Sequence, residues 1–185
     1  PGTHALITKC LQEAGLPAGV LNYLNSSPDR SPDIADALIS SKEIRRINFT
    51  GSTRVGRIIA QKSAQLLKRC LLEMGGKSPL IVLGDAGIDG AVKAAVFGSF
   101  LFQGQICMST ERLVVDEKIA DEFVAKFAAK TKQLSAGDPC VTGDCIIGPM
   151  VSPNSGDRIN ALFKDAIDKG AKGVCGGMAE GAVMP

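Results

Sequence analysis

Apolar residues recur along the chain with two alternating periods, and the alternation sets out the elements. Between Thr3 and Ala14, Leu6, Ile7, Cys10, Leu11 and Ala14 share one face of a helix, which Gly15 stops. Gly15 to Gly19 predicts a turn, and Val20 to Leu24 a short strand. Ser26 to Ser31 is polar, holds Pro28 and reads as a loop. Pro32 opens a helix that Ile34 to Ile39 continues. Arg45 to Thr50 reads as a strand, Gly51 to Gly56 as a turn, and Val55, Ile58, Ile59, Lys62 and Leu66 mark the helix that follows. Arg69 to Glu73 is the next strand.

Gly75 and Gly76 break the pattern, and a second alternation follows. Leu80 to Leu83 is a strand. Ala91 to Phe102 has almost no polar residue, and a helix apolar nearly all round is expected to be buried. Arg112 to Val115 is a strand, and Ile119 to Leu134 a helix. Its apolar stripe is Ile119, Phe123 and Phe127 with Ala120, Val124 and Ala128. Glu122 and Lys126 pair across one turn on its wet face. The stretch from Gly137 to Pro153 is a long loop with three prolines. Ser152 or Asn154 caps a helix through Ile159 and Ile167, which Gly170 ends. Val174-Cys175 is expected as a short strand and Ala182 to Pro185 as a strand cut short. Strand and helix in alternation predict an α/β fold with a largely parallel sheet. The chain begins at Pro1-Gly2 without Met and reads as an internal segment of a longer protein.

Composition narrows the function classes. A chain of 185 residues suits one domain or pieces of two. The net charge of +2 points to neither nucleic acid nor a membrane surface as partner. Seven Phe, one Tyr and no Trp leave little to stack bases on. The six cysteines form no Cys-x-x-Cys and there is one His, so no metal site is expected. Reduced thiols in the cytoplasm are the expected state. No signal peptide and no apolar run of membrane-spanning length is present.

Three stretches carry candidate chemistry. Gly51-Ser52-Thr53-Arg54-Val55-Gly56 stands between a strand and a helix, where glycines admit a phosphate and the helix N-terminus favours its charge. The same spacing also suits a plain strand–helix turn. Glu73 ends an apolar strand before Gly75-Gly76, as a general base whose pKa burial can raise, or as an ordinary strand-end carboxylate. The Gly76-Lys77-Ser78 that follows is no P-loop, because Leu71 stands where a glycine is needed and Pro79 falls in the required helix. Gly104-Gln105-Ile106-Cys107-Met108-Ser109 follows the apolar helix. A thiol at that exit is expected where water is scarce, which suits a nucleophile, although a lone cysteine taken by itself reads first as a buried structural one.

These motifs, in this order, resemble the aldehyde dehydrogenase superfamily. The resemblance covers essentially the whole chain, from Glu-Ala-Gly-Leu-Pro-Ala-Gly-Val-Leu-Asn at 13–22, through Phe-Thr-Gly-Ser-Thr at 49–53, to Gly-Pro-Met-Val at 148–151. It implies a partial Rossmann-like cofactor domain joined to part of an α/β catalytic domain. Residues 1–74 would be the second part of the NAD(P)-binding domain, and 75–185 the first part of the thiol domain. It implies NAD or NADP as cofactor, with Gly51, Ser52 and Gly56 at its pyrophosphate. Cys107 would attack a small-molecule aldehyde, its backbone N–H would hold part of the oxyanion, and Glu73 would activate the water that releases the acid. The parent enzyme is expected to be a homo-oligomer, dimer or tetramer, and the segment alone inactive. The family's oxyanion Asn, its adenosine-ribose Lys and its nicotinamide-ribose Glu have no counterpart among these residues. The Gln-Ile-Cys-Met-Ser wording resembles members that oxidise aromatic aldehydes such as vanillin or salicylaldehyde. A phosphorylating dehydrogenase of the glyceraldehyde-phosphate type would want a Cys–His pair, and the one His is His4. A non-catalytic structural or ligand-binding protein on this scaffold is the remaining alternative, against which the joint presence of Glu73 and Cys107 argues.

Overall fold

Two βαβ units carry the chain. A computed structural model describes residues 1–185, apart from the side chain of Thr142. The polypeptide divides into two compact units, Pro1–Met74 and Gly75–Pro185.

In the first unit, β1 (Arg46–Gly51) pairs in parallel with β2 (Arg69–Met74), with Ile47 opposite Cys70 and Phe49 opposite Leu72. Alternate side chains face opposite ways. Ile47, Phe49, Cys70, Leu72 and Met74 are half-buried, whereas Asn48, Thr50, Leu71 and Glu73 are exposed. The crossover is helix α3 (Thr53–Gln65), which buries Gly56, Ile59 and Ser63. That face differs from the expected one, for Ile58 and Leu66 stay exposed. The helix lies close on the sheet at Gly56, where a Cβ would lie 2.7 Å from Met74 Sδ. Two helices precede the sheet, α1 (Gly2–Glu13) and α2 (Ser31–Ser40), with a short 3₁₀ turn at Pro28–Arg30. The α1 stripe covers nothing in this unit: Leu6, Ile7 and Leu11 are exposed. Val20 to Leu24 forms no strand, contrary to the pattern. An extended segment becomes a strand only by pairing, and the sheet here is β1 and β2 alone. Lys68 Nζ instead closes the end of α2, donating to the carbonyls of Ile39 and Ser41.

In the second unit, β3 (Ser78–Val82) pairs in parallel with β4 (Thr110–Val115). The register slips between Ser78 and Pro79, where a proline without an N–H cannot continue the ladder. Ser78 opens a strand, not the helix a P-loop demands. Helix α4 (Ile88–Phe100) crosses over, and α5 (Glu117–Thr131) follows β4. Val82, Val92, Ala95 and Phe123 form the core, with Phe127 stacked on Phe123 at 5.9 Å and on Phe100 at 6.1 Å. Asp116 caps α5 through the Lys118 N–H. Lys126 pairs with Glu122, as the spacing suggests, and also with Asp89 at the start of α4. The expectation of a fully buried α4 is corrected. Val92 and Ala95 are buried, but Phe97 is 66% exposed, because sheet and α5 cover one side only.

The 137–153 loop contains one short helix, α6 (Pro139–Thr142), and closes on itself through a bridge between Ala136 and Ile147. Helix α7 (Pro153–Asp168) follows, and Gly170 takes up a left-handed φ just past its end. Ser152 stands at its N-cap without a side-chain bond to the helix backbone. Val174-Cys175 forms no strand, and 182–185 contributes only an isolated bridge between Glu180 and Val183. Among the described residues neither segment joins a sheet. Among the described residues no helix is long and apolar enough to cross a membrane.

Candidate active site

The thiol is placed by a reversal at the end of α4. After Phe100 the backbone makes one turn, Leu101–Gly104, in which Phe102, Gln103 and Gly104 all have positive φ, at 51°, 57° and 68°. Glycine enters this left-handed region freely, whereas an L side chain costs about 1–2 kcal/mol there. The turn points the chain back toward β4 and delivers Ile106–Ser109 as a tight loop. Ser109, only 4% exposed, locks that loop: its N–H donates to the Ile106 carbonyl at 2.9 Å and its Oγ accepts from the Ile106 N–H at 3.3 Å.

Cys107 is the second residue of this loop and is exposed. That corrects the expectation of a water-poor thiol, since a residue at the crest of a turn projects away from the backbone that makes it. Among the described residues, neither the Cys107 nor the Met108 N–H donates to a protein acceptor. Both donors remain for a ligand. The loop is tied to the Gly148–Val151 stretch, whose Val151 N–H donates to Gln105 Oε1 at 3.0 Å. The Cys107 carbonyl lies along Gly76, where an added Cβ would stand 3.7 Å from it. Next to that contact Lys77 pairs with Glu111.

Glu73 occupies the penultimate position of β2, in register with Thr50, on the exposed face of the first unit's sheet. It is not buried there, and the carboxylate expected to be desolvated is open to water. The Gly51–Gly56 segment joins the carboxyl end of β1 to the start of α3. Ser52 is the N-cap, its Oγ accepting the Val55 N–H at 3.3 Å. The hydroxyl thus serves the helix first. Arg54 sits in the first turn, which has no acidic residue. A parallel strand running into a helix N-terminus is where open α/β sheets receive phosphates. Gly56, buried inside α3, supports this seat through close helix–sheet packing, the use to which the last glycine of a dinucleotide fingerprint is put. The donors at the α3 N-terminus and this close packing fit a pyrophosphate.

His4 is exposed on α1 in the first unit, and Cys107 belongs to the second. Among the described residues, no group of three or more His, Cys, Asp and Glu side chains could hold a metal ion. A groove of about 720 Å³ in the second unit is lined by Phe100, Val124, Phe127, Ile147, Met150 and Cys175 among others, and lies beside the Gln103–Gly148 contact, not at Cys107.

Sequence reasoning singled out Cys107, Glu73 and the glycine turn as candidates and passed over Ser109 and Gln105. Ser109, polar and two places past the cysteine, carried some signal as a turn residue. Nothing in the spacing linked Gln105 to a backbone N–H 46 residues away.

A paired-unit parallel α/β chain with a thiol on a turn of free N–H donors defines a class. The model of the aldehyde dehydrogenase family matches residues 1–185, and the chain belongs to that family. It is 88% identical over 185 residues to the salicylaldehyde dehydrogenase of Pseudomonas putida, covering 100% of this chain and 38% of that protein. It is 51% identical over 184 residues to the vanillin dehydrogenase of Pseudomonas fluorescens, again 100% of this chain and 38% of the relative. The crystal structure of a salicylaldehyde dehydrogenase from Pseudomonas putida G7 complexed with salicylaldehyde superposes with a TM-score of 0.96 at 87% identity, covering 100% of this chain and 38% of that one. The chain therefore spans well under half the length of the relatives it matches. It comprises part of the Rossmann-like region and part of the catalytic domain of that fold.

Proposed function

We propose that the chain is the nucleophile-bearing part of an NAD(P)-dependent dehydrogenase that oxidises an aromatic aldehyde, salicylaldehyde first among candidates, to the carboxylic acid. The observation that carries this is the 88% identity, over every residue of the chain, to a salicylaldehyde dehydrogenase. Residues 1–74 are assigned to the cofactor side and 75–185 to the thiol side.

Gly51, Ser52 and the α3 N-terminus would hold the dinucleotide's pyrophosphate, with Gly56 keeping the helix close enough to the sheet for its N–H groups to reach. When bound, the nicotinamide supplies the hydride acceptor. Cys107, as thiolate, attacks the aldehyde carbon and forms a thiohemiacetal. Its oxygen gains negative charge, and the unpaired Cys107 and Met108 N–H groups of the turn are suited to meet it. Donors fixed in advance lower the barrier because they need not reorient as charge develops. After loss of hydride the carbon stays on the sulfur as a thioester. Glu73 takes a proton from water, the water oxygen attacks the thioester carbon, and the acid leaves with return of the thiolate. Two easier steps replace one hard one.

The 185-residue chain by itself is expected to be inactive, because the family's oxyanion Asn and ribose-binding residues have no counterpart in it. The test therefore uses the enzyme that contains this segment. Cys107→Ser should abolish salicylaldehyde-dependent NADH formation while NAD binding, followed by quenching of protein fluorescence or by calorimetry, persists. Substantial turnover by that variant would refute the assignment.

A further inference from the structure

Gln105 precedes Cys107 by two residues, and neither nucleophile nor base accounts for what its side chain does. Its Oε1 accepts the Val151 N–H at 3.0 Å, and its Nε2 reaches back to the Phe102 carbonyl at 3.4 Å. One side chain thus joins the left-handed turn, the entry to the Cys107 loop and the Gly148–Val151 backbone. Gln103 packs on Gly148, where an added Cβ would stand 3.2 Å from its Nε2. The 148–151 backbone is therefore hydrogen-bonded by Gln105 and packed on by Gln103. Phe102 and Gln103 hold positive φ, which L residues keep only where surroundings impose it. The glutamine bonds are those surroundings. When they are removed the turn relaxes, and the loop two residues on swings with it, although Ser109 still holds the loop's own shape.

We propose that Gln105 is the positioning residue of the Cys107 nucleophile, fixing the loop against Val151 in the orientation from which sulfur reaches the carbonyl carbon. This rests on the reading of Cys107 as nucleophile. Gln105 touches no reacting atom in this role. Its effect passes through the backbone, and a misplacement near 1 Å at a reacting centre costs on the order of 100-fold in rate.

The test uses the enzyme containing this segment and two variants. Gln105→Met keeps the length and loses both hydrogen bonds. Gln105→Glu keeps an oxygen for the Val151 N–H. The expected result for Gln105→Met is a NADH burst slowed by about 10- to 100-fold. KM should move by less than about threefold, the thermal midpoint should hold, and iodoacetamide should alkylate Cys107 with an altered rate. Gln105→Glu should restore the burst to within about threefold. The proposal is overturned if Gln105→Met leaves the burst rate unchanged. It is equally overturned if both variants lose activity in step with a fall in thermal midpoint, which would make Gln105 a stability residue. Turnover surviving Cys107→Ser would instead refute the nucleophile reading, whatever the Gln105 variants do.

Discussion

Gly156→Ala sets two effects of known size against each other. Gly156 is the fourth residue of α7, and alanine in a helix is worth about 0.8–1.0 kcal/mol over glycine. On propensity alone the substitution stabilises. The packing opposes it, for a Cβ at Gly156 would stand 2.0 Å from the Gly181 carbonyl oxygen and 3.3 Å from the Ala179 Cβ. A carbon and a carbonyl oxygen settle no closer than about 3.3 Å, so the 179–183 turn must retreat by roughly 1.3 Å. Three hydrogen bonds seat that turn: Met150 N–H to the Ala182 carbonyl at 2.7 Å, Ala179 N–H to Asn160 Oδ1 at 2.7 Å, and Asn160 Nδ2 to the Ala179 carbonyl at 3.0 Å. At about 0.5–1.5 kcal/mol each, their loss costs on the order of 1.5–4.5 kcal/mol. The clash wins, with a net destabilisation of about 0.5–3.5 kcal/mol. Gly90→Ala in α4 is the control, since a Cβ there meets nothing within 4 Å and should stabilise by up to about 1 kcal/mol. Thermal midpoints of both variants in the full enzyme, with amide exchange over 176–185, measure the two. An unchanged or raised midpoint for Gly156→Ala, with 179–183 still protected, would refute the reasoning.

Glu73→Gln should leave a near-normal NADH burst followed by a slow steady state, because the amide keeps the size but cannot take a proton from water. A lost burst with NAD still bound, in rapid-mixing kinetics, would make Glu73 an activator of Cys107 instead. Asp89 is held below the ordinary aspartate value by its hydrogen bond and attraction to Lys126, whose own value is raised by Asp89 and Glu122. A depressed carboxyl stabilises the fold above its unfolded value, and that contribution fades as pH falls through the lowered one. Lys126→Met should therefore return the Asp89 carboxyl to its usual range in an NMR titration. An unmoved Asp89 midpoint would remove the pair from the account.

Local pattern was enough for several features. The 3.6-residue and 2-residue periods marked both βαβ units, since amphipathic period is a property of neighbours in sequence. The thiol, the carboxylate and the glycine turn stood out as candidates because motif chemistry is carried by residue type and spacing. The break at Gly75-Gly76 was legible for the same reason. Pairing was not. Val20 to Leu24 and Val174-Cys175 have the composition of strands and remain unpaired, since a strand exists only where another backbone lies beside it. Burial was not legible either. The all-apolar α4 leaves Phe97 exposed, and Glu73 and Cys107 stand open in this chain, because burial is decided by what covers a face. The left-handed φ of Phe102 and Gln103 contradicts their local preference, and the residue that follows the turn, Gln105, bonds to Val151 far along the chain. Residue type and spacing named the candidate groups, but only a long-range bond from the Val151 N–H to the Gln105 side chain ties the Cys107 loop to a distant part of the chain.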